Sequence, residues 1–138
     1  MGARHRLILL PGTLAICRLE KNASIPDWGT LGRFWSITRT EEELSVVCPE
    51  AHVPQGVKRE TGWRALKVEG LLDFSLTGIL ASLTVPLAKE GISVFAISTY
   101  DTDYLLVKEE QLEKAIRALG GEGYEIKESS EFGVGSSE

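Results

Sequence analysis

Hydrophobic and polar positions divide the chain into two stretches of different texture. In the first, the apolar residues come in short runs. Residues 6–10 (RLILL) and 13–19 (TLAICRL) read as strands split by the turn pair Pro11-Gly12. Residues 34–40 (FWSITRT) and 44–48 (LSVVC) are rich in β-branched and aromatic side chains, and the polar TEEE connection at 40–43 has hairpin length. Residues 21–32 show no usable period and contain IPDWG, so they read as loop or one helical turn. Residues 49–54 (PEAHVP) make a proline-bounded turn, and 55–61 are polar. This half is strand-dominated and leaves little room for a long helix.

From Trp63 the texture changes. Residues 63–70 (WRALKVEG) read as an apolar strand. Thr77 or Ser75 suits an N-cap, with Gly78 opening a helix whose apolar face is Ile79, Leu80, Leu83 and Leu87. Pro86 lacks an N–H and is expected to kink the last turns, and Gly91 to end them. Residues 92–97 (ISVFAI) are almost continuously apolar, as in a strand buried on both faces, and 104–107 is its neighbour. A helix over 109–119 would bury Leu112, Ala115, Ile116 and Leu119. Glu109 and Glu110 favour its N-terminal dipole, and Glu110–Lys114 and Glu113–Arg117 are i,i+4 pairs. Gly120-Gly121 is expected to stop it before a last strand. The order βαββαβ between Trp63 and Lys127 is the split βαβ pattern, with helices over one face of a sheet.

Composition adds bounds. With 138 residues, 43% hydrophobic and 25% charged, the chain is an ordinary globular protein of one domain or two small fused ones. Halves of this size are marginal alone and should share a sheet or an interface. The expected division is an N-terminal unit over 1–60, a C-terminal unit over 61–128 and a disordered tail over 129–138. A net charge of −5 argues against nucleic acid or an anionic membrane as partner. The apolar run 7–10 is too short for a signal segment or a membrane span. Cys17 and Cys48 each sit in an apolar strand pattern and read as reduced, buried thiols, which suits a cytoplasmic protein.

Catalytic chemistry is thin. His5 and His52 have no ligand-spaced neighbours, so no metal site is readable, and no nucleophile elbow or phosphate loop appears. Asp101 and Asp103 do not complete an acid–base constellation, so neither an enzyme nor a cofactor is expected. Amino-acid binding fits better. A carboxylate is met by exposed amides at a helix start, which Leu76, Thr77, Gly78 and Ile79 supply. An ammonium needs a fixed carboxylate, and Asp103 offers one, with Thr99 and the carbonyl of Tyr100 nearby. Each residue also has a plainer use. Asp101 and Asp103 can shape a turn, Gly78 can serve close packing, and Tyr100 can be a core or interface aromatic. Trp28, Trp35 and Trp63 read as core, and Arg39 as a solvated charge.

The stretches 34–47 and 77–80, with Pro86-Leu87-Ala88, Ile92-Ser93-Val94 and STYDTDYLLV at 98–107, resemble the ACT domain, a βαββαβ module that binds amino acids and regulates metabolic enzymes. More narrowly, they are similar to small bacterial proteins related to the regulatory region of aspartate kinases and to animal arginine sensors of the CASTOR type. The resemblance implies an α+β fold of two ACT-like (ferredoxin-like) units, the first with reduced helices. It implies a homodimer in which Ser93 and Val94 of one subunit face Leu76, Gly78, Ile79, Thr99, Tyr100 and Asp103 of the other. The ligand would be a free amino acid, arginine or another polar one, and the regulated partner a separate protein. The pattern departs at Leu76, where the arginine sensors carry an acidic residue. The competing expectation is a ligand-independent interaction module.

Overall fold

The computed structural model describes residues 6–69 and 78–129. Expectations placed on 1–5, 70–77 and 130–138, including those for Leu76 and Thr77, lie outside the described residues. In chain order the elements are β1 (Arg6–Leu9), β2 (Leu14–Leu19), a 3-10 turn (Asp27–Thr30), β3 (Ser36–Arg39) and β4 (Leu44–Pro49). A second 3-10 turn (Glu50–His52), β5 (Lys58–Val68), α1 (Ile79–Lys89), β6 (Phe95–Ser98) and β7 (Asp103–Lys108) follow. A 3-10 turn (Glu109–Gln111), α2 (Leu112–Gly121) and β8 (Glu125–Glu128) complete the order. Internal contacts define two compact units, one over Gly12–Trp63 and one assembled from Met1–Pro11 with Arg64–Glu138. This division differs from the expected 1–60 and 61–128, because β1 pairs antiparallel with β5 and parallel with β8 and so joins the C-terminal half.

In the unit over 12–63, β4 lies between β3 and β2, and β2 pairs with the first part of β5. Ala15 and Cys17 on β2 share a face with Leu44, Val46 and Cys48 on β4, as strand alternation requires, and pack with Val53 into a core. Both cysteines are buried and free. Burial raises both thiol pKa values, Cys48 to about 11. The helical content is two 3-10 turns. β5 begins at Lys58, inside a stretch expected to be connection. Lys58, Arg59 and Glu60 carry no apolar alternation to announce a strand, yet they pair with Arg18, Cys17 and Ile16. The register then shifts at Leu14/Ile16, where Gly62 takes a left-handed φ of 79° and its N–H donates to the Glu50 carboxylate at 2.8 Å. One side-chain expectation needs correction: Trp35 is 45% exposed rather than core. Arg39 is exposed, as expected of a solvated charge, and its guanidinium also donates to the carbonyls of Lys21 and Ala23.

In the other unit β1 lies between β8 and β5, and β7 between β5 and β6. The N-terminal strand is thus inserted into the split βαβ pattern. Leu7, Leu9, Leu66, Val68, Leu105 and Val107 alternate along their strands and meet Leu83 and Leu87 of α1 with Ala115 and Leu119 of α2. Both helices therefore cover one sheet face. Each ends in the same way. Gly91 (φ 74°) and Gly123 (φ 98°) take the left-handed position. Gly91 N–H donates to Ala88 O at 2.9 Å and Ile92 N–H to Leu87 O at 3.0 Å; Gly123 and Tyr124 repeat this on Gly120 O and Leu119 O. Gly120-Gly121 does not stop α2, which runs through both to Gly121. The apolar run at 92–97 yields a strand only over Phe95–Ser98, alternately half-buried and exposed, because β6 pairs with β7 alone among the described strands. Ile116 is only partly buried, and Ala118 packs against the core instead. Ser129, expected to open the tail, donates its N–H to Leu9 O at 3.1 Å.

Candidate functional site

The expected residues fall at three places in this second unit. Thr99, Tyr100 and Asp103 lie on the β6–β7 hairpin, Gly78 and Ile79 at the start of α1, and Ser93 and Val94 just ahead of β6. The hairpin is tightly organised. Ser98 faces Asp103 in the last register of the pair, and its hydroxyl donates to the Asp103 carboxylate at 2.6 Å. Beyond it, Thr99 N–H donates to Thr102 O at 2.8 Å, and Thr102 N–H donates to the Thr99 hydroxyl at 3.2 Å. This reciprocal pair leaves Tyr100 and Asp101 at the tip. Tyr100 is 82% exposed, which removes the core reading. Thr102, the polar residue buried among the described residues, donates its hydroxyl to Val68 O at 2.6 Å and ties the hairpin to the end of β5.

The side-chain caps expected at α1, Thr77 or Ser75, lie outside the described residues. Gly78 itself occupies the cap position with φ 80° and without a side-chain bond. Its left-handed backbone is reason enough for glycine, and a Cβ there would meet nothing within 4 Å among the described residues. Ser82 N–H is the first amide to close a helical turn, on Gly78 O at 2.8 Å. The amides of Ile79, Leu80 and Ala81 precede it, at the end where the helix dipole is positive. Pro86 lies inside α1, which continues to Lys89.

The charges carried by the hairpin itself have one sign. Across residues 78–88 and 92–107 the charged side chains are Asp101 and Asp103. Lys89 stands at the other end of α1, roughly 15 Å away along an 11-residue helix. α1 ends at Lys89 and the chain turns back through Gly91 into β6, so the start of α1 and the hairpin after Ser98 lie toward the same end of the unit. Thr102 is bonded there to Val68, the last residue of β5. Ser93 and Val94 are not brought to this end. They sit at the opposite end of β6 from Ser98, with Ser93 exposed and Val94 packed partly against the core. Ser98 and Thr102 are the residues the sequence argument left without a role. Hydroxyl residues flanking a two-residue tip are the signal that could have found them. Among the described residues no cluster of three or more His, Cys, Asp or Glu could hold a metal, and no helix is long and apolar enough to cross a membrane.

A βαββαβ unit with one helix-covered sheet face, beside a smaller strand-built unit, defines an α+β protein of the ferredoxin-like class. The model of the ACT domain matches residues 58–120, and a second model, of an N-terminal domain, matches 12–56. A solved protein of Agobacterium tumefaciens is 40% identical, with 93% of this chain and 96% of that one covered and a TM-score of 0.88. The chain belongs to the ACT-domain family. The human "Cytosolic arginine sensor for mTORC1 subunit 1" is 30% identical over 105 residues, covering 65% of this chain and 31% of the sensor. The chain thus spans about a third of that relative's length. The regulatory subunit of aspartate kinase from Thermus flavus shares the fold at 12% identity, with 87% of this chain and 98% of that one covered and a TM-score of 0.61.

Proposed function

We propose that this protein is a non-enzymatic, cytoplasmic sensor of a free amino acid, which binds between the C-terminal units of a homodimer and regulates a separate partner. The observation that carries the reading is the Asp103 carboxylate, oriented by the Ser98 hydroxyl on a hairpin of the same unit that opens a helix at Gly78. A zwitterion carries the complementary charges: its carboxylate suits the first amides of α1, and its ammonium suits Asp103. The kinship with an arginine sensor makes arginine the first ligand to try, and the two carboxylates of the hairpin, Asp101 and Asp103, disfavour a ligand with an acidic side chain.

Two features support the dimer. β6 reads Phe-Ala-Ile-Ser and lacks the charges that normally blunt an exposed sheet edge, whereas β8 on the opposite edge reads Glu-Ile-Lys-Glu. Antiparallel pairing of two β6 edges would also carry Ser93 and Val94 of one copy to the hairpin of the other, which a single chain cannot do. The outer positions of α1, Ala81, Val85 and Ala88, are uncharged, and Val85 is 50% exposed. A thermal-shift screen of the purified protein against free amino acids tests the sensor reading. A ligand raises the melting temperature by mass action. A flat screen at millimolar concentrations would leave a ligand-independent assembly module instead.

A further inference from the structure

We infer that Thr102 is a positioning residue for the amino-acid site, holding the ligand-facing hairpin to the end of β5 through a buried hydroxyl. The inference rests on the sensor reading and adds a residue that touches no ligand. Thr102 is 5% exposed while its neighbour Asp101 is exposed and Tyr100 is 82% exposed, so one buried side chain anchors a solvent-facing tip. Its three polar groups are all engaged. The hydroxyl donates to Val68 O at 2.6 Å, the N–H to the Thr99 hydroxyl at 3.2 Å, and the carbonyl accepts from Thr99 N–H at 2.8 Å and from the Thr99 hydroxyl at 3.1 Å.

These bonds set both halves of the site at once. The Thr99 bonds fix the backbone from which Tyr100 offers its carbonyl. The covalent neighbour of Thr102 is Asp103, whose carboxylate is steered by Ser98, so the Val68 anchor fixes where that carboxylate starts from. Val68 is also the last residue of β5, a strand that pairs with β7 and is packed into the core of the unit. One hydroxyl therefore ties the carboxylate side of the cradle to the body of the sheet. Binding that needs two groups at a fixed separation is sensitive to such a tie, because a loosened hairpin must be re-ordered by the ligand.

The experiment compares wild type, Thr102→Val and Thr102→Ser by calorimetry with whichever amino acid the thermal-shift screen identifies, well below each melting temperature. Valine keeps the shape and removes the donor; serine keeps the donor. The expected result is roughly tenfold weaker binding for T102V, the scale of one lost buried hydrogen bond, with T102S close to wild type. Amide exchange at Thr99 should quicken in T102V alone. A T102V protein that melts earlier but binds with wild-type affinity would overturn the positioning role and leave the sensor reading intact. Failure of the wild type itself to bind any free amino acid would overturn both.

Discussion

At the scale of single residues, the proposed site turns on Asp103. Its carboxylate sits at the mouth of a hairpin and accepts from the Ser98 hydroxyl, whereas Thr102 is buried beneath. Asp103→Ala is expected to abolish amino-acid binding in calorimetry while the cooperative melt persists. Unchanged affinity would remove the residue from the site. The thiols of Cys17 and Cys48 make a different case. Burial, and then the neighbouring Cys17, hold Cys48 protonated to about pH 11 against an ordinary value of 9.0. A thiol whose pKa rises on folding stabilises the protein below the unfolded value, and that contribution is lost as pH climbs through the folded one. The urea midpoint should therefore fall between pH 9 and 11, and Cys48→Ala should flatten the fall. At pH 8 both thiols should resist alkylation until urea opens the unit.

At the scale of elements, helix ends show what a sequence can and cannot announce. Gly91 was legible because it follows the last apolar position of α1, and Ile92 closes onto Leu87 as the motif requires. Gly120-Gly121 looked like the stronger stop, yet only Gly123 has the positive φ. Glycines in a last turn are tolerated by a helix already packed through Ala115 and Leu119, so tertiary burial outweighed local propensity. Gly123→Ala should thus cost about 1–2 kcal/mol in denaturant melts, while Gly121→Ala should be neutral or stabilising. The strands divide similarly. β2, β4 and β7 stood out by their apolar residues, whereas the first part of β5 is polar and owes its conformation to the pairing with β2. The excess at 92–97 misled in the other direction, since Ile92 and Val94 pack against the core outside any regular strand. In the proposed site, the helix start and Asp103 were singled out from chemistry, but the anchoring by Thr102 depends on a contact with Val68, 34 residues away.

At the scale of the whole molecule, the fold requires little beyond the pattern, while the proposed function requires a second copy. An unblunted β6 edge and an exposed Tyr100 make sense where another chain covers them. Ala96 is exposed at the middle of β6, close to where a two-fold axis would cross a β6–β6 pair. Ala96→Asp would set two carboxylates against each other there. It is expected to turn a dimer into a monomer by light scattering and to lose ligand binding in the same preparation, without a large drop in the cooperativity of unfolding. A dimer that survives this change pairs by another surface.

The insertion of β1 between β5 and β8 has a consequence for biogenesis. Residues 6–9 are synthesised before either partner, Leu66–Val68 and then, much later, Glu125–Glu128. On the ribosome β1 can therefore settle against β5 while its other edge still lacks a neighbour, and the segment 12–63 already holds its own complement of pairings by then. Folding of this unit is thereby staged, with β8 filling a slot that the earliest strand has kept open.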